Sequence, residues 1–227
     1  MSAAGRLSVG IIGAGPVGQV LGLALAGAGH VVIGISGNAH DLLPNVPVLD
    51  APQIFAKAEL VLLAIPGSEL QKTIEGYAAA GLIRPGQIIA HTSPDFGYTV
   101  LETAAKLGAI PIALHPAMRF TGTSIDLMKL TDSHFAVSAP SVALPIAQAL
   151  VIEMGAEPVI VAEESRAKYA EAFSVASNFS AMIVNQAIGL LTEAGIENPR
   201  GLLAPVIRTS VEQALADGYQ PLDPEAL

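Results

Sequence analysis

The sequence predicts an α/β fold, a mainly parallel sheet followed by a smaller all-helical C-terminal domain. Apolar runs at residues 7–12, 30–35, 60–65, 87–91, 110–114 and 134–137 alternate with helical or loop segments. That is the spacing of right-handed βαβ units whose sheet is covered on both faces. Beyond residue 137 the texture changes to long helical stretches rich in Ala, Leu, Ser and Val. Between the first two runs lies an ordered glycine triplet, Gly13-Ala14-Gly15-Pro16-Val17-Gly18.

The triplet follows an apolar strand and opens a helix over residues 17–28, the place of a dinucleotide-binding turn. Gly13 permits the bend, Gly15 lets a pyrophosphate reach the backbone, and Gly18 lets the helix pack close to the strand. The second strand at residue 30 closes a Rossmann-type unit; the other reading is such a unit with an empty site. Residues 46–49 form a short further strand. Residues 141–154 read as helix, 158–161 as a short strand, and 164–194 as one long helix stopped by Gly195 at its C′ position. Pro199 starts a last helix reaching about residue 216. A cut near residue 162 gives a Rossmann dinucleotide-binding domain, 1–162, and a helical dimerisation or substrate domain, 163–227. The long helix measures about 45 Å. Its residues 172–191 are apolar around most of the circumference, which implies burial on all sides. A homodimer paired through these helices is expected; the alternative is a central helix inside a monomeric bundle.

Hydrophobic residues make up 52% of the chain and charged residues 14%, too apolar for disorder and consistent with a surface covered by a partner subunit. A formal net charge of −9 argues against nucleic acid and anionic membranes. A helix N-terminus still supplies local positive potential for an anionic cofactor. The absence of Cys excludes disulfides and thiolate chemistry. Arg6 ahead of an apolar stretch superficially resembles a secretory signal, but a signal core carries no glycine triplet before a second strand. Gly, Pro or charge interrupts every other apolar segment, so no membrane span is expected, and the expected location is cytoplasmic. No Walker Gly-x-x-x-x-Gly-Lys, no Gly-x-Ser-x-Gly and no His/carboxylate cluster with metal spacing occurs, so no metal is expected.

The glycine triplet, Ala58-Glu59-Leu60-Val61-Leu62-Leu63-Ala64-Ile65-Pro66, His91-Thr92-Ser93 and Ala113-Leu114-His115-Pro116-Ala117-Met118-Arg119-Phe120-Thr121-Gly122-Thr123 occur in order, ahead of a helix carrying Asn178. Together they resemble a bacterial family with a Rossmann-like domain and a DUF2520 C-terminal domain. That family is similar to pyrroline-5-carboxylate reductase, ketopantoate reductase and the wider 6-phosphogluconate dehydrogenase-like superfamily. The resemblance covers nearly the whole chain and implies an NAD(P)-dependent oxidoreductase. In the β-hydroxyacid dehydrogenase branch, a Lys four residues before such an Asn acts in proton transfer. Here that position is Ser174, which cannot replace an ammonium acid, and Lys168 lies on the same helix nearly three turns before Asn178. The family has Gly after His-Thr-Ser, whereas this chain has Pro94, which rigidifies the loop and removes an amide donor. Family members commonly continue into a Gly-Pro-x-x-Arg-Gly-Asp segment. This chain ends at Leu227 without it, so the helical domain is expected to be truncated relative to the family.

The strand end Ala64, Ile65 and Pro66 should lie across the crevice from the glycine turn, as a cofactor contact or an ordinary strand-to-helix turn. After the second strand, Ser36-Gly37-Asn38-Ala39-His40 holds no acid for a ribose 2′-hydroxyl. Ser36 and Asn38 could donate to a 2′-phosphate, so NADP is expected with modest preference over NAD. The expected cofactor-binding residues are Gly13, Ala14, Gly15, Pro16, Val17, Gly18, Ser36, Gly37, Asn38, Ala64, Ile65 and Pro66. Among the histidines, His30, His40 and His134 read as structural or solvated, and His91 matters through Thr92 and Ser93. His115 stands at a strand end. Neutral, it can donate a hydrogen bond to a carbonyl; cationic, it can deliver a proton; otherwise it orders its loop. Arg119 reads as a carboxylate fork or a surface ion pair. Asn178 interrupts an apolar helix, where an amide needs partners if buried; it reads as a site residue or as a buried helix-to-helix hydrogen-bond post. The expected catalytic residues are His115, Asn178 and Ser93, reducing a small anionic keto acid or imine, with ketopantoate-like acids the first choice by resemblance. The alternative is a non-catalytic dinucleotide-binding sensor, and a methyltransferase-like use of the turn comes third.

Overall fold

In the computed structural model, residues 6–37 and 42–219 are described. The chain divides into two compact units, Met1–Ala170 and Glu171–Leu227. The first alternates strand and helix: β1 (Ser8–Ile12), α1 (Pro16–Gly27), β2 (Val31–Ser36), α2 (Ala51–Lys57), β3 (Leu60–Leu63), α3 (Gly67–Ala79), β4 (Ile88–His91), α4 (Glu102–Lys106), β5 (Ile110–Pro116), α5 (Ile125–Thr131), β6 (His134–Ser138), α6 (Leu144–Glu153) and β7 (Glu157–Ile160). These strands form one seven-stranded sheet in the order β2-β1-β3-β4-β5-β6-β7. All neighbours are parallel except β5 and β6. The expected strand at 46–49 reduces to a single bridge between Ile35 and Val48.

Side-chain alternation assigns the two faces. Val9 and Ile11 of β1, with Leu60 and Leu62 of β3, join the core cluster that also holds Leu21 and Leu25 of α1 and Leu150 of α6. Ile12, Val61 and Leu63 point the other way, into a cluster with Ile54 and Phe55 of α2 and Leu70 and Ile74 of α3. A strand covered on both faces reads as an unbroken apolar run, which is why these segments stand out in the sequence. Phe55 and Phe135 are fully buried, one in each cluster; truncating either to Ala costs about 3–5 kcal/mol.

The helical run after β7 is not uniform. A 3-10 turn, Glu163–Ser165, leads into α7 (Arg166–Ser174), then a five-residue π segment, Val175–Phe179, then α8 (Ser180–Glu193). Gly195, at φ +80°, follows α8, and its N–H donates to Thr192 O. In α9 (Pro199–Asp217), the Asn198 side chain caps the first turn by accepting from the Gly201 N–H at 3.0 Å. No side chain of α8 is buried: Met182, Ile183 and Leu190 are 55%, 61% and 61% exposed. Among the described residues of one chain, this apolar circumference stays exposed.

One expectation is corrected here. The run Glu163–Glu193, with mean hydropathy 1.2 in its most apolar window, is long and apolar enough to cross a membrane by length and composition. Helical turns of different pitch join without a break, so its Ser, Asn and Gly residues do not interrupt it. Core helices of other folds meet the same two criteria, and the run carries no argument for a membrane.

Candidate functional site

Strand order reverses between β2 and β3 around β1, and the glycine turn stands at the carboxyl end of β1, where open α/β sheets bind ligands. Gly13 has φ +109°, and a Cβ there would lie 2.3 Å from the Ala64 carbonyl oxygen. A Cβ on Gly18 would lie 2.1 Å from Gly13 O. Gly15 differs: nothing stands within 4 Å of where its Cβ would be. Gly15 is also the N-cap of α1, with no side-chain cap and with Pro16 next. The first-turn amides of α1 therefore face an open cradle of bare backbone, which fits a pyrophosphate at a helix N-terminus. The end of β2 docks beside it: the Gly13 N–H donates to Ser36 O at 3.1 Å, and Gly37, at φ +130°, lies against Ala14. Asn38 and His40 lie outside the described residues.

A cleft of about 380 Å³ opens over these strand ends, lined by residues 15–17, 64–67, 92–94 and 115–116 with Met118 and Phe120. Gly15, Pro16, Val17, Ala64, Ile65, Pro66, Ser93 and His115 thus share one site, while Gly13, Ala14 and Gly18 shape the turn beneath it. Arg119 is exposed and does not line the cleft. A larger groove of about 550 Å³, beside Tyr98, Ala109 and Val142, includes none of the glycine turn; size alone does not locate chemistry.

Asn178 belongs to the second unit, and the alternative reading of it as a buried hydrogen-bond post does not hold. It is exposed, lies in the π segment, and its Nδ2 donates to Ser174 Oγ at 3.0 Å. The two polar positions at i and i+4 satisfy each other on an open helix face.

His91 is fully buried. Its Nε2–H donates to Gly97 O at 2.9 Å, and its Nδ1 accepts from the Ser93 N–H at 3.2 Å. Burial, reinforced by the charge of Arg166 and opposed by the bond to Gly97, pushes its pKa down to about 4. It orders the 93–97 loop. Within that loop the Asp95 N–H donates to Ser93 Oγ at 3.2 Å, which fixes the Ser93 side chain at the cleft wall.

His115, at the end of β5, places Nδ1 2.7 Å from Tyr169 Oη, with the two rings edge to face. Burial first, and the charge of Arg166 second, lower its pKa to about 4. At neutral pH the ring is uncharged, so of the two chemical roles open to it the hydrogen-bond donor remains and the imidazolium acid does not. Burial raises the Tyr169 hydroxyl to about 12, with Arg166 opposing.

Arg166, Tyr169 and Asp126 were not singled out by the sequence. Arg166 and Tyr169 stand at i and i+3 at the start of α7, flanking the exposed Lys168. That spacing on a polar first turn is the signal that could have found them. Arg166 is 3% exposed. Asp126, fully buried in the first turn of α5, accepts from the Thr121 N–H, Thr121 Oγ1 and the Gly122 N–H at 2.7, 2.8 and 2.8 Å. Burial raises its pKa, but these bonds outweigh it and hold the carboxyl below its ordinary value. Asp126 thereby ties down the segment that carries Phe120 to the cleft and Gly122 to Pro16.

The family model of the Rossmann-like domain matches residues 2–116. The chain belongs to the Rossmann-like family. In this Rossmann-like chain a second family model, a domain of unknown function (DUF2520), matches residues 133–222. No curated protein matches it. Among solved structures, a Bacteroides fragilis protein assigned as an NADP oxidoreductase superposes with TM-score 0.74 at 16% identity, over 92% of this chain and 80% of that one. An NADH-preferring ketol-acid reductoisomerase from an uncultured archaeon gives 0.69 at 16% identity, over 94% of this chain and 72% of that one. A Plasmodium falciparum pyrroline carboxylate reductase with NADP bound gives 0.62 at 12% identity, over 95% and 80%. At these identities the likeness is one of fold.

Proposed function

We propose that this protein is an NAD(P)-dependent oxidoreductase that reduces a small anionic keto acid or imine. One observation carries the reading: the open Gly15 cradle, the strand end at 64–66 and His115 line the same cleft. The fold shared with dinucleotide-dependent enzymes supports it. The dinucleotide, when bound, supplies a hydride. The first-turn amides of α1 hold its pyrophosphate, residues 64–66 border its path, and Met118 and Phe120 restrict water. His115 donates a hydrogen bond from its neutral ring to the substrate heteroatom. With His115 uncharged and Ser174 where related enzymes carry Lys, the chain offers no strong acid from either position. A keto group needs a proton at oxygen as it is reduced, which water must then supply. An imine that arrives protonated does not, and this ranks an imine ahead of a ketopantoate-like acid.

We also propose that the helical segment pairs two chains, supported by the exposed Met182, Ile183, Leu190 and Val206. Sedimentation at micromolar concentration is expected to show a dimer, and a monomer would end that part of the proposal. The function itself is tested by following NAD(P)H consumption with a panel of keto acids and cyclic imines. Substrate-dependent oxidation is the expected result. Cofactor binding with no turnover across the panel would instead favour a sensor.

A further inference from the structure

Arg166 is a buried cation that the proposed reduction does not use. Its Nη2 donates to Ala136 O at 3.2 Å, and its Cζ stands 5.2 Å from the centre of the Tyr169 ring. Among the described residues, Nε and Nη1 have no hydrogen-bond partner. The acidic group that acts on it, Glu163, has its oxygens committed to the Tyr98 and Thr99 amides and the Thr99 hydroxyl. A buried charge held this loosely destabilises a fold by several kcal/mol in general, so its place asks for a reason. That place is specific: Ala136 is the β6 residue directly opposite His115 in the β5–β6 ladder, and Tyr169, under the guanidinium, bonds to His115 Nδ1. A phenol is a better donor than acceptor toward an imidazole nitrogen, so the Tyr169 hydroxyl donates and leaves the ring proton on Nε2.

We propose that Arg166 and Tyr169 are positioning residues for His115: Tyr169 holds it as the Nε2–H tautomer, and the charge of Arg166 adds to burial in keeping its ring uncharged. His115 then serves the cleft as a fixed, neutral donor. The role rests on reading the cleft as a reductase site, but the arrangement is testable without turnover. Among the described residues, the titratable and charged groups beside His115 include Tyr169 and Arg166 from α7 and, from β4, the buried neutral His91.

The test is nitrogen NMR of the full chain with ¹⁵N-labelled histidine, titrated over pH, with His115 assigned by the loss of its signals in His115→Gln. In the unsubstituted protein, Nδ1 should show the shift of an acceptor at pH 7, and the ring should titrate near about 4. Tyr169→Phe should remove the tautomer preference of His115 while leaving His91, bonded to Gly97 and Ser93, unchanged. Arg166→Met should raise the His115 midpoint by about one pH unit or more, a tenfold change in proton affinity. An unchanged tautomer in Tyr169→Phe, or an unmoved midpoint in Arg166→Met, would overturn the proposal. If Arg166→Met does not fold, Tyr169→Phe decides alone. Should these shifts occur while no panel substrate is reduced, the reductase reading fails and the positioning of His115 stands.

Discussion

Two glycines of the same turn should respond to alanine in opposite ways. Gly15 has φ −70° and ψ 176°, a conformation open to any residue, and nothing within 4 Å of its absent Cβ. Gly15→Ala should therefore cost no more than about 1 kcal/mol, the loss of a favourable N-cap, equal to roughly 2–4 °C in melting temperature for a unit of this size. Its methyl would nonetheless fill the cradle, and the dissociation constant for NADPH should rise at least tenfold, about 1.4 kcal/mol. Gly18→Ala forces a Cβ to 2.1 Å from Gly13 O and 3.2 Å from Ala64 Cβ. Overpacking of that kind costs about 1–3 kcal/mol, so this variant should lose stability and binding together. Thermal unfolding and NADPH fluorescence titration on both variants separate the two effects. Unchanged NADPH affinity in Gly15→Ala would refute the cradle.

Titration of the unsubstituted protein should show a modest preference for NADP(H); NADH binding at least tenfold tighter would reverse that assignment. With a substrate found in the panel, His115→Ala should lower kcat about 10²–10³-fold, the worth of one well-placed donor, with cofactor affinity unchanged. Because His115 stays neutral above about pH 4, the rate should show no histidine limb between about pH 5 and 8, and a limb near 6.5 would contradict the neutral ring. Asp126→Ala should destabilise the first unit by about 3 kcal/mol in urea unfolding, since charge-assisted bonds are lost. The carboxyl of Asp126 is held below its ordinary value. Its contribution is therefore complete above the ordinary carboxylate range and is lost as pH falls through the folded value; a contribution that grows on acidification would contradict this.

The centre of the sheet was legible because its inner strands are buried on both faces, so Leu60, Val61, Leu62 and Leu63 register as an uninterrupted run. The glycine turn was legible for the same local reason: spacing, preceding strand and following helix all lie within one βα unit. His115 emerged from its place at a strand end. What holds it did not, because Tyr169 and Arg166 come from a helix 54 and 51 positions later, and only the tertiary fold brings them to β5. Asn178 is a different case: an amide in an apolar helix left a buried hydrogen-bond post open as a reading, yet the face it occupies is open, and its Nδ2 donates to Ser174 one turn away. The π segment around it has no local sequence signature, since Val175, Ala176 and Phe179 suit an α-helix equally well in one dimension.

A structure with NADP(H) bound tests the central claim most directly. The account predicts the pyrophosphate on the first-turn amides of α1, over Gly15, with His115 within hydrogen-bond reach of the nicotinamide face, directly or through one water. A pyrophosphate seated elsewhere, or His115 beyond the reach of one bridging water, would contradict it.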